Sequence, residues 1–403
     1  MFERLVTPAW RSVLLLLAVV VPVYAATAEY DPTDLNVDVE AAALPAWNLA
    51  VRGTTDLASI DADRHPAAAR ALARNPWIGS GEEGTFSNRP VGLWAVAVPA
   101  YLLSGVDDYR AWPATVTAIS LTSLAMVVVL LTLRALVPSR AAWLGAAGLA
   151  LLTATWPISS SQLWPHGPGQ LFAAVALLAA AQHRRALSAV AFAGAGLVRP
   201  VTVVMPGAIA LLHALRRRWA WAAALGVATL TAIVATVAYN AATFGAPSLS
   251  GGYSSGFREN LVGQGVTDYV ANLWGFFFSV RHGLAWWTPV LVPAAIGLRH
   301  VWGVQPDWVR HGLLAGLAYI AVHARLNRVS GGLPFDYRYP LEPLVLAWPA
   351  VVQGTRCALR RSRPLHLATV AAIGVSLALQ GLMATTADCA TQAGSSEAVC
   401  SLW

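Results

Sequence analysis

Between Ser12 and Ala28 the chain reads SVLLLLAVVVPVYAATA, without one charged side chain. Apolar runs of this kind recur at about 114–133, 141–158, 168–182, 186–198, 201–215, 219–243, 284–298, 309–325, 339–358 and 365–387. A backbone in hydrocarbon must bond all of its own polar groups, and roughly 20 residues of helix span a bilayer. Only 12% of the residues are charged and 57% are hydrophobic, about half the charge of a soluble chain. The pattern predicts an all-α polytopic membrane protein of about eleven transmembrane helices. The segments 91–103 and 269–281 are apolar but short, and read as interfacial or re-entrant pieces.

Charge orients these helices. The chain has no Lys, and all 27 of its basic residues are Arg. If the N-terminus is cytoplasmic and the helices alternate, the inner ends carry Arg4, Arg11, Arg134, Arg140, Arg184, Arg185 and the clusters HALRRRW and RCALRRSR. That is the positive-inside pattern, so the net charge of +7 reads as topology rather than as a nucleic-acid footprint. Of the acids, only Glu3 and Asp307 fall inside, and the C-terminus ends outside. Residues 1–28 also look like a signal peptide, with Ala26-Thr27-Ala28 as a small-residue site. An uncleaved signal anchor suits the later spans better, and either way Glu29 onward lies outside. Cys389 and Cys400 share the outer tail; they form a disulfide in an oxidising compartment or remain two free thiols.

The inner loops are too short for a catalytic domain. Polar residues gather in outer loops at about 29–113, 244–268 and 326–338, so any chemistry belongs on the outer face. Directly after the first span, EYDPTDLNVDVE places Glu29, Asp31, Asp34, Asp38 and Glu40 within twelve residues. Asp38 and Glu40 share a side on a strand or loop and diverge on a helix. Asp38 precedes the apolar AAALPAWNLAVRG, which would tuck it into the protein. A carboxylate so held suits a general base. His166, between prolines in LWPHGPGQL, either caps the next helix or donates to a phosphate or sugar oxygen. Arg199, in GLVRPVT between two short spans, either snorkels or meets a lipid phosphate, which guanidinium matches in geometry. The 17 Trp residues form an interfacial belt, with Trp47, Trp77 and Trp94 as alternative stacking faces for a sugar. No HExxH, CxxC, Walker A or GxSxG pattern occurs, so no metal site is readable and no cofactor is expected.

Five stretches, in order, resemble segments of the GT-C superfamily of membrane glycosyltransferases. They are VDVEAAALPAWNLAVRGTTDL (37–57), FSNRPVGLWAVAVPAYLL (86–103), SSSQLWPHGPGQL (159–171), YNAATFGAPSLSGGYSSGF (239–257) and GGLPFDYRYPLEPLVLAWP (331–349). The likeness is to bacterial members related to protein O-mannosyltransferases, aminoarabinose transferases and actinobacterial arabinofuranosyl- or mannosyltransferases. It covers about residues 1–350, a transmembrane catalytic module that residues 351–403 follow as last helices and outer tail. The resemblance implies a GT-C-like bundle whose long first outer loop carries interfacial helices. It also implies a polyprenyl-phosphate sugar donor, a glycan, lipid or protein acceptor, inversion at the anomeric carbon, and a bacterial plasma-membrane site facing outward. By position the base is Asp38. Val39 separates it from Glu40 where the family often shows adjacent acids, which keeps Asp34 and Glu40 open. The late segment implies Arg338 at the donor phosphate, with Asp336 and Tyr337 beside it and Arg89, Arg199 and His166 in support. No essential metal is expected. A transporter or flippase for lipid-linked sugars, or a non-catalytic partner, is the competing reading.

Overall fold

The first apolar run forms helix α1 (Trp10–Thr27), and the polar loop after it folds as a cap of its own. The computed structural model describes residues 10–31, 35–81, 84–245, 247–249, 263–280, 283–326 and 338–391, with side chains to 386. Asp34, Asp336, Tyr337 and Cys400, and the side chain of Cys389, lie outside these.

Within the cap, α2 (Val37–Arg52) starts where the Asn36 side chain accepts from the Asp38 amide at 2.9 Å. Asp38 and Glu40 in its first turn suit the positive end of the helix dipole. The helix stops at Gly53, whose φ of 72° is the left-handed conformation that glycine accepts. Then follow α3 (Pro66–Arg74), an antiparallel hairpin of β1 (Ile78–Ser80) and β2 (Thr85–Ser87), α4 (Val91–Ala95) and α5 (Val98–Ser104). These elements enclose a core of Trp47, Leu57, Leu93, Tyr101 and Tyr109. Residues 91–103, expected as one interfacial piece, are thus two short helices with Pro99 at the break.

The bundle comprises α6 (Trp112–Arg134), α7 (Ser139–Leu151), α8 (His166–Ala181), α9 (Arg185–Val198), α10 (Val204–Leu215), α11 (Trp219–Phe244), α12 (Val266–Phe278), α13 (Leu284–Trp287), α14 (Leu291–Val301), α15 (Asp307–Leu326), α16 (Leu341–Arg361) and α17 (Arg363–Thr391). Among the described residues, four helices are long and apolar enough to cross a membrane: α1, α6, α11 and α17. Helix α6 is mostly buried, whereas α1, α11 and α17 leave most of their apolar surface outward. This is the pattern of a helical membrane protein, with one central helix and lipid-facing neighbours. The other apolar runs form shorter helices. The run 141–158 ends in a π turn over Thr155–Ser159 that contains Pro157. The run 284–298 divides at Thr288-Pro289 into α13 and α14. Proline lacks the amide that a continuing helix needs.

Two glycines set the closest crossing. A Cβ on Gly297 of α14 would collide with the Gly354 carbonyl of α16, and one on Gly354 with the Ala294 carbonyl. Small residues let helices approach to backbone contact where lipid supplies no hydrophobic drive. A third, Gly169 of α8, leaves room for Glu342: its Cβ would lie 2.9 Å from the Glu342 Cγ.

Candidate functional site

Helix periodicity separates the two acids that the sequence places together. Asp38 and Glu40 are two positions apart on α2, and so about 200° apart around it. Glu40 is fully buried and held by Arg74, whose Nε lies 3.2 Å from both of its carboxylate oxygens. Asn75 Nδ2 adds a bond to Glu40 Oε2 at 3.3 Å. The bond to Glu40 raises Arg74 above the ordinary guanidinium range. Glu40 therefore ties α2 to the end of α3.

Asp38 is bound on its other side. Arg89 donates to its Oδ1 at 3.0 Å, and Arg338 approaches Oδ2 at 3.9 Å. Arg89 is carried by the loop after β2, which is anchored where Ser87 Oγ donates to the Ala41 carbonyl at 2.6 Å. The Arg89 guanidinium lies 5.0 Å above the Trp77 ring, and that of Arg338 4.4 Å above Trp164. Cation–π contacts of this kind fix the plane of a guanidinium without using its donors.

A second cluster joins the first through Tyr339. Its ring lies 5.5 Å from the guanidinium carbons of both Arg338 and Arg199. Arg199 ends α9 in an extended conformation, φ −149° and ψ 103°, as a residue before proline prefers. Its NH1 donates to Glu342 at 3.0 Å (Oε1) and 2.8 Å (Oε2). His166 Nδ1 lies 3.0 Å from Glu342 Oε1. Glu342 is fully buried in the first turn of α16, and His166 opens α8. Both helix starts favour the carboxylate. Behind them His323 stacks on Tyr319 with ring centroids 5.5 Å apart, and Phe276 of α12 meets it edge-on at 5.9 Å.

Arg89, Arg199, Arg338, His166 and Asp38 thus come together, with Arg199 and His166 in surroundings other than those first expected. Arg199 does not snorkel: its side chain, 11% exposed, is paired with Glu342. His166 makes no side-chain cap of α8 and bonds Glu342 instead. Trp47 is fully buried in the cap core and Trp94 nearly so, which removes both as stacking faces. Trp164 and Tyr339 hold the aromatic positions over the arginines. Glu342 was missed in sequence, although an acid at the head of an apolar span is a signal in itself. Among the described residues, no group of three or more His, Cys, Asp or Glu could hold a metal.

Three guanidiniums and two carboxylates converge here under partial burial. The positive excess and the fork geometry of Arg suit a phosphate, and the carboxylate of Asp38 lies beside it. No protein-family model matches the chain. No curated protein and no solved structure matches it either.

Proposed function

We propose that the chain is a glycosyltransferase that moves a sugar from a polyprenyl-phosphate donor to an acceptor hydroxyl, with inversion. In this reading the eleven apolar runs all traverse the membrane, the N-terminus is cytoplasmic, and the site faces outward from a bacterial plasma membrane. The product is an envelope glycan, glycolipid or glycoprotein. Asp38 takes the proton of the acceptor hydroxyl as its oxygen attacks the anomeric carbon. The bond from that carbon to the phosphate oxygen breaks, and the electron pair leaves with the polyprenyl phosphate. Arg338 and Arg89 stabilise the charge that develops there. The observation that carries the reading is the Asp38 carboxylate between those two guanidiniums, the nearer at 3.0 Å and the farther at 3.9 Å. The longer contact is the one a donor phosphate competes for, so donor binding draws Arg338 to the phosphate and frees Asp38 Oδ2 for the acceptor hydroxyl.

The test compares wild type with Asp38→Asn in nanodiscs, using polyprenyl-phosphate sugars and a cell-envelope acceptor mixture. The expected result is a loss of transfer of about 10²–10⁴-fold, the usual contribution of a positioned base, with donor binding retained. Full activity in Asp38→Asn removes Asp38 from this role.

One observation favours a second reading. Arg199, whose side chain is 11% exposed, and the fully buried Glu342 form an ion pair between helices, and such groups also mark substrate paths in transporters. A lipid-linked sugar flippase would bind the donor and move it across the bilayer, with no transfer by either form.

A further inference from the structure

The two ring nitrogens of His166 have different partners. Nδ1 lies 3.0 Å from Glu342 Oε1 and 3.1 Å from Arg199 NH1. That NH1 carries two hydrogens, and it reaches both Glu342 oxygens, at 3.0 and 2.8 Å. A carboxylate only accepts. The set is satisfied when Nδ1 carries the imidazole proton and donates it to Oε1. Nε2 is then a lone-pair acceptor, as the second nitrogen of a neutral imidazole must be. His166 is 2% exposed, and no described residue bonds Nε2. Nε2 is thus an acceptor with its lone pair unused, and the position suits a ligand that brings a hydrogen. An ionised phosphate oxygen brings only lone pairs. A sugar hydroxyl brings the hydrogen.

We propose that His166, with its tautomer set by Glu342, binds a hydroxyl of the donor sugar. Glu342 and Arg199 are then positioning residues. The inference rests on the lipid-linked sugar reading and divides the donor between two sets of residues. Arg338 and Arg89 take the phosphate, and His166 takes the sugar. A histidine first expected to donate to phosphate or sugar is thereby assigned as an acceptor. It also separates the pair Arg199–Glu342 from the charge of the leaving group, because both Glu342 oxygens already hold Arg199.

Binding decides this without turnover. The probes are farnesyl phosphate and its mannosyl and arabinofuranosyl esters, titrated into wild type, His166→Phe and the double variant Arg199→Leu/Glu342→Leu in nanodiscs. His166→Phe keeps the buried ion pair intact. The double variant removes both charges together, which proteins tolerate far better than removing one, and frees the ring to carry its proton on Nε2. The expected result is about a tenfold loss of affinity for a sugar ester in both variants, the size of one hydrogen bond. Farnesyl phosphate itself should shift by less than about twofold. If His166→Phe weakens the bare phosphate as much as the ester, His166 contacts phosphate and the proposal falls. If it weakens neither, His166 is scaffold and the proposal falls. Should the double variant fail to fold, His166→Phe still decides. Wild type that binds the esters no better than farnesyl phosphate overturns the inference and leaves a lipid-phosphate site standing. Wild type that binds none of the probes overturns the parent reading as well.

Discussion

Helix α15 carries an arginine–carboxylate cluster beside histidines at each of its ends. At its start Asp307 binds Arg218 at 2.8 Å and also Arg216, all three partly exposed, with side-chain exposures of 29%, 50% and 42%. His213 and His311 stand behind them with ring centroids 4.7 Å apart. At its other end Tyr319 and His323 back the Arg199–Glu342–His166 cluster, whose members are 11%, 0% and 2% exposed. The chemical groups are the same, and their surroundings separate them. In contact with water an ion pair gains little, because solvent screens it and long side chains lose freedom. In the interior each charge has lost its hydration, so each depends on the other. The exposed cluster fits a charged helix end. The buried one is costly to build, and it holds His166 in one orientation.

The largest effect expected from breaking that contrast is at Glu342. Glu342→Ala leaves the Arg199 guanidinium buried without its carboxylate, which costs about 3–5 kcal/mol when a buried pair loses one partner. Thermal unfolding in detergent should show it as a large fall in midpoint. Adding Arg199→Leu should restore most of the loss, since no buried charge then remains. A double variant as unstable as the single one would mean that the cost comes from packing against Gly169 and not from charge.

Glu40 sharpens the comparison at an intermediate level. It is as buried as Glu342, but its partner Arg74 is 43% exposed and can turn to water. Glu40→Gln should therefore cost about 1.5–3 kcal/mol, the range for a bond to a charged group. Transfer per folded molecule should change by less than about threefold, against the large loss expected of Asp38→Asn. Equal losses of transfer in both variants would return Glu40 to the catalytic set.

These pairs show how far the sequence could be read. Apolar runs reveal helices because burial in lipid demands them, and all eleven runs do form helices. The breaks near Pro99, Pro157 and Pro289 were read through as continuous runs, although proline removes an amide whatever its surroundings and so marks such breaks locally. The division of labour between Asp38 and Glu40 was not legible. It turns on whether residues 37–40 are helical, and the Asn36 cap that starts the helix is a local signal that competes with loop-forming Pro32 and Asp34. The union of His166, Arg199 and Glu342 was still less legible. It joins the starts of α8 and α16 to the end of α9, over separations of 33 to 176 residues, and no local pattern encodes such a contact. Trp164 stands two residues before His166, yet as one of 17 Trp it reads as part of an interfacial belt until Arg338 is seen above it.

The smallest effect belongs to the exposed end of α15. Asp307 is held below the ordinary carboxylate range, first by its hydrogen bond from Arg216 and then by the charges of Arg216 and Arg218. A depressed pKa means that the folded state favours the ionised form. Its contribution to stability is therefore complete above the unfolded pKa, near 4, and is lost as the pH falls through the lower folded value. For partly exposed pairs the contribution is about 0–1 kcal/mol. Asp307→Asn should lower the unfolding midpoint slightly at pH 7 and progressively less as the pH falls below about 4, and raising the salt concentration should shrink the difference at pH 7. A loss approaching that of Glu342→Ala would show that His213 and His311 make this end as dependent on its charges as the buried one, and would erase the contrast between the two ends of α15.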